Sequence, residues 1–209
     1  MTALLTYLAL GDSYTIGEGV EPEGRWPVQL AAALRADGID IDDPRVIATT
    51  GWTTGELAAA LDAEEPLGVY DLVSLLIGVN NQYRGLSPDD YADEFSRLLE
   101  RAVGYAGARS DRVFALSIPD WGVTPFRAES GRDGATVARE IDLFNAIAQR
   151  ICDDRGIAFV DITPVSRARG AEAVMLVEDR LHPSATMYAE WMRLALPVVR
   201  AQLRDGETA

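Results

Sequence analysis

The sequence predicts an α/β protein, a three-layer α/β/α sandwich built on a five-stranded parallel sheet. Short apolar runs alternate with stretches of helical periodicity along the 209 residues. Strands separated by helices need long crossovers, and right-handed crossovers cover both faces of a parallel sheet. Polar and glycine-rich clusters also follow the strand-like runs, at the rim where open parallel sheets bind ligands.

Leu4 to Leu10 reads as the first strand, followed by a helix over Pro27 to Ala36 with proline in its first turn. Arg45 to Ala48 is a short second strand. Thr53 to Leu61 is a helix with Thr53 or Thr54 as N-cap and Glu56 nearby. Asp71 to Ile77 is a buried third strand. Ser87 caps, and Pro88 begins, a helix running to about Val103, with Asp89 and Asp90 at its positive end. Arg112 to Ile118 is the fourth strand. Thr136 to Asp154 carries an apolar helical stripe with Cys152 on or beside it, and Ile157 to Ile162 is the fifth strand. Ser184 to Leu203 is a final helix that Pro197 is expected to kink. Pro119 to Ala135 and Thr163 to Pro183 read as long irregular loops, and order is expected to fade over Arg204 to Ala209. No linker or repeat divides the chain, so one domain is expected.

Composition narrows the functions. A net charge of −14, with no lysine among the basic residues, argues against nucleic acid or anionic membranes as partners. Cys152 is the sole cysteine and His182 the sole histidine, which disfavours a zinc site and rules out an intrachain disulfide. No dinucleotide or phosphate-loop pattern occurs. Met1 to Leu5 lacks the features of a signal peptide, so a cytoplasmic location is expected by default.

The rim clusters hold what acyl transfer needs: a hydroxyl, a base, a group to orient the base, and oxyanion donors. Ser13, in a turn that Gly11 is expected to permit through unusual backbone angles, supplies the hydroxyl. His182 is the base, and Asp179, three residues earlier, lies close enough in a tight turn to meet Nδ1 and leave Nε2 for Ser13. The N–H groups of Ser13 and Gly51 and the Asn80 side chain are the donors. Trp52, Tyr83, Arg84 and Trp121 follow strands on this rim and are candidates for shaping a substrate pocket. Each feature alone has an ordinary explanation as turn, cap or core residue. Together they need one explanation for their order along the chain.

Gly11-Asp12-Ser13 with Gly17, the lone Gly51, Gly78-x-Asn80 and Asp179-x-x-His182 resemble the four blocks of the SGNH hydrolase superfamily, the GDSL esterases and lipases. Residues 78–85 and 117–125 are similar to a bacterial, lysophospholipase-like esterase subgroup. The resemblance implies a flavodoxin-like sheet order and cleavage of carboxylic esters, with acyl or acetyl esters, lysophospholipids and acetylated sugars among the substrates, and no metal or organic cofactor. Two positions depart from the pattern. Tyr14 stands where the family has leucine, with a packing effect expected. Asn81 stands where it has aspartate, which bears on how Asn80 is supported. A non-catalytic carbohydrate- or ligand-binding module and a flavodoxin-like nucleotide-binding protein are the competing readings.

Overall fold

The computed structural model describes residues 4–205. Strands β1 (Tyr7–Gly11), β2 (Arg45–Ala48), β3 (Leu72–Leu76), β4 (Val113–Leu116) and β5 (Ala158–Val160) form one parallel sheet in the order β2-β1-β3-β4-β5. The three inner strands are buried throughout, which is why they read as continuous apolar runs without alternation.

The helices are α1 (Ser13–Ile16), α2 (Trp26–Ala36), α3 (Thr54–Glu64), α4 (Val79–Tyr83), α5 (Pro88–Tyr105), α6 (Phe126–Ser130), α7 (Gly134–Asp153), α8 (Thr163–Arg169) and α9 (Ala185–Asp205). From β1 the chain steps to β2 on one side, then crosses back to β3 on the other. Right-handed crossovers therefore place α2 and α3 on opposite faces. α9 packs on α2, and α5 lies between α3 and α7.

Local chemistry fixes the element ends. Thr53 and Glu56 form a reciprocal capping box on α3. Ser87 accepts from the N–H groups of Asp89 and Asp90 at the start of α5, a cap worth ~1 kcal/mol. α7 starts two residues earlier than its apolar stripe suggests, because Asp133 accepts from Thr136 N. One expectation changes: the stretches read as irregular contain α6 and α8, too short and too weakly periodic to show as stripes. α9 continues through Pro197, whose missing N–H removes one rung of the ladder without ending the helix. Arg204 and Asp205 lie in α9, and the rest of the segment expected to lose order, residues 206–209, falls outside the described residues, as do Met1 to Ala3. Cys152 is buried, and burial pushes its thiol up to about 12, so it stays protonated and inert. No described helix is long and apolar enough to cross a membrane.

Candidate active site

The chain reverses its winding direction at β1, so the carboxyl ends of β1 and β3 flank a crevice. Ser13 opens α1 directly after β1, Gly51 lies in the loop after β2, and Asn80 sits in the first turn of α4 after β3. His182 arrives from the turn before α9. All four line one cavity of about 210 Å³, together with Tyr14, Thr50 and an apolar wall that includes Val79, Tyr83, Trp121 and Phe126.

The turn after β1 is tightly built. Gly11 is needed for space rather than for unusual angles: a Cβ there would lie 2.2 Å from Thr15 Oγ1 and 2.4 Å from Leu76 O. Asp12 Oδ1 accepts from Tyr14 N at 3.0 Å, while Oδ2 is buried without a partner. Burial pushes the Asp12 carboxyl up to about 7. Ser13 N–H, at the helix start, has no acceptor among the described residues, nor does Gly51 N–H. Gly51 has φ 89, a left-handed conformation that glycine adopts without strain. Its N–H therefore owes its direction to this backbone, in a loop where an added Cβ would meet only Arg84, at 3.8 Å.

Asn80 Nδ2 donates to Trp52 O at 2.9 Å, which fixes the amide and leaves its second hydrogen available. Asn81 turns away from the cavity. Its Oδ1 accepts from Thr54 N at 3.0 Å and its Nδ2 donates to Thr54 Oγ1 at 2.6 Å, while the Thr54 hydroxyl donates to Glu94. An amide here supplies both a donor and an acceptor, so it ties α4 to the start of α3 in a way that an ionised aspartate, an acceptor only, does not.

Asp179 and His182 are joined within a short stretch of chain. Asp179 Oδ1 accepts from Leu181 N at 2.8 Å and His182 N at 2.9 Å, and Oδ2 lies 2.6 Å from His182 Nδ1. Arg180 takes a left-handed φ of 60 at the apex and pairs with Glu129. Burial alone would raise the Asp179 carboxyl, but the hydrogen bonds from His182 and Leu181 hold it below the usual carboxylate range. The bond to Asp179 is the only side-chain hydrogen bond of His182 among the described residues. The ring of Tyr14, next in sequence to Ser13, packs edge-on against the imidazole at 5.9 Å. Tyr14 thus supports the His182 ring as well as filling space. Contacts of catalytic groups commonly tighten only when substrate binds.

The four pocket candidates divide. Trp121 is buried and Tyr83 half-exposed, and both line the cavity. Trp121 is held from behind: its Nε1 donates to Gln82 Oε1 at 2.9 Å, Gln82 Nε2 donates to Glu140 at 2.6 Å, and the Arg132 guanidinium lies 5.8 Å from the indole. Trp52 and Arg84 are off the cavity wall. Trp52 packs on the core and offers its carbonyl to Asn80. Arg84 Nη2 donates to Gly51 O at 2.6 Å and its Nη1 to Glu56 at 3.3 Å, because those acceptors lie within its reach across the loop. Phe126 and Leu181, which no rim position after a strand predicts, complete the wall. Among the described residues, no group of three or more His, Cys, Asp or Glu side chains is placed to hold a metal ion.

A sequence model described as the GDSL-like Lipase/Acylhydrolase family matches residues 9–190. Among solved structures, TesA superimposes with a TM-score of 0.72 at 21% identity, covering 95% of this chain and 99% of that one. Axe2, an acetylxylan esterase from Geobacillus stearothermophilus, gives 0.71 at 19%, covering 93% and 94%. The psychrotrophic esterase EstA from Pseudoalteromonas sp. gives 0.64 at 20%, covering 96% and 94%. At these identities the likeness is one of fold. No match was found among curated protein sequences.

Proposed function

The chain belongs to the GDSL-like lipase/acylhydrolase family, and on that premise we propose that it hydrolyses carboxylic esters through an acyl-serine intermediate, with Ser13 as nucleophile, His182 as general base and Asp179 as its orienting partner. One observation carries this reading: Ser13, Gly51, Asn80 and His182, drawn from three strand ends and a distant turn, line a single cavity. The esterase neighbours support ester hydrolysis as the general chemistry.

In this mechanism Ser13 Oγ attacks the ester carbonyl while His182 Nε2 takes its proton. Asp179, 2.6 Å from Nδ1, fixes the tautomer and stabilises the imidazolium that forms. Negative charge on the carbonyl oxygen is met by the N–H groups of Ser13 and Gly51 and by the Asn80 amide. The imidazolium then protonates the departing alcohol. Water, deprotonated by the same ring, splits the acyl-serine and releases the acid. The partner is a small-molecule ester: an acyl or acetyl ester, a lysophospholipid or an acetylated sugar. The net charge of −14 supports the view that nucleic acids and anionic membranes are not partners.

The experiment is active-site labelling joined to kinetics. A fluorophosphonate should label the protein at Ser13. Ser13→Ala and His182→Ala should each lower kcat on p-nitrophenyl butanoate by roughly 10⁶. Full activity in Ser13→Ala, or a folded protein that takes no label and cleaves no ester, would refute the reading and favour a non-catalytic binding module.

A further inference from the structure

We propose that Leu181, Tyr14 and Trp121 form a partition that limits the length of the acyl chain, making this an enzyme for short-to-medium apolar acyl groups. The inference rests on the ester-hydrolase reading of the same site. These three side chains line the active cavity and also a second, smaller void of about 20 Å³ behind it. The void continues between Thr124, Ser166, Met187 and Trp191. By itself the void is smaller than the ~30 Å³ share of one water-sized group, so it lengthens the cavity only when the partition is trimmed.

The apolar wall assigns the cavity to the acyl group. Asp179 lines a separate surface groove with Glu18 and Glu178, which shares no residue with the cavity wall. The alcohol receives its proton from His182 and so leaves past the imidazole, while the acyl chain stays against the aromatics. At ~30 Å³ for each water-sized group, a cavity of about 210 Å³ holds about seven, the ester carbonyl included. That suits butanoate to hexanoate and leaves acetate loosely held.

The rear void suits hydrocarbon. The polar side chains on its wall are engaged elsewhere: Asp120 with Arg167 and Gly122 N, Ser166 with Asp120 N and Thr163 O, Thr124 with Trp121 O. Only the Trp191 indole N–H is left buried without a partner there. Leu181 is the thinnest member of the partition. Its backbone N–H, not its side chain, serves Asp179, so trimming the side chain leaves that bond in place.

The test is kcat/KM on p-nitrophenyl esters from acetate to decanoate, with the leaving group constant. The unsubstituted protein should peak at butanoate or hexanoate and fall toward decanoate. Leu181→Ala, which removes an isopropyl group from the partition, should raise the decanoate-to-butanoate ratio roughly tenfold, and Leu181→Val by less. An unmoved ratio in both variants, with butanoate still cleaved, overturns the partition and leaves the hydrolase reading intact. Absence of ester cleavage and of fluorophosphonate labelling in the unsubstituted protein overturns both. Should Leu181→Ala fail to fold, labelling of the unsubstituted protein by alkyl fluorophosphonates decides the matter. Rates that fall beyond hexyl support the partition, and rates that climb steadily to dodecyl overturn it.

Discussion

Two aspartates flank the candidate site and their surroundings drive them in opposite directions. Asp12, in the turn after β1, is fully buried with one oxygen unpartnered, and burial pushes it up to about 7. Asp179, in an exposed turn, accepts three hydrogen bonds and is held below the usual range. The turn after β1 is the buried side of the site, with Gly51 and Asn80 half-buried beside it. The Asp179–His182 turn is local and solvent-facing. A fixed negative charge is thus held beside His182, while burial drives the Asp12 carboxyl, next to Ser13, toward its neutral form.

Substitutions can break that contrast, starting where the effect is largest. Asp179→Ala removes the charge and all three bonds from the exposed turn. It should lower kcat by about 10³ to 10⁴ on p-nitrophenyl butanoate, with little change in KM. Asn80→Ala attacks the buried side and should cost about 10² to 10³ in kcat, the loss expected for one oxyanion donor. Arg84→Ala tests whether the brace on Gly51 O matters. A fall of about tenfold in kcat, partly restored by Arg84→Lys, would mark Arg84 as a positioning residue, while a selective loss on anionic esters would mark a substrate contact.

The smallest effect on catalysis, and the sharpest on stability, belongs to Asp12→Asn, which retains an acceptor for Tyr14 N. Because the folded pKa of Asp12 lies above the unfolded one, the native state holds a proton that the unfolded chain has released between about pH 4 and about pH 7. Stability therefore falls as pH rises through that window, by up to ~4 kcal/mol for the gap between 3.8 and about 7. The asparagine variant should gain stability over the unsubstituted protein across that window in urea unfolding. A constant difference from pH 4 to 8 would show that Asp12 is ionised throughout. Asp179 has the reverse sign: what it contributes is present above the ordinary carboxylate pKa and lost as pH falls below it.

Legibility in the sequence also differs between the two sides. The Asp179–His182 contact is legible because three residues of spacing bring a carboxylate to its own imidazole, and the chain has a single histidine. Ser13, Gly51 and Asn80, which carry the proposed nucleophile and oxyanion donors, stand just past apolar runs. Trp52 and Arg84 were misplaced because position after a strand does not say which way a long side chain turns. Arg84 found a backbone carbonyl and a carboxylate across the loop instead. Phe126 and Leu181 went unseen because helices too short to show periodicity, and turns between distant elements, carry no rim signature.

By itself the sequence determined the parallel α/β layering, the order of the elements and the residue types gathered at one rim, because periodicity, capping and turn chemistry act over a few residues. Tertiary structure alone decided the rest: which aromatics face the cavity, that Asn81 clamps α3, that Asp12 is buried with an oxygen unpartnered, and that a partition separates the cavity from a void. These depend on side chains far apart in sequence meeting at one place, and such contacts are set by close packing of the whole chain rather than by any local preference.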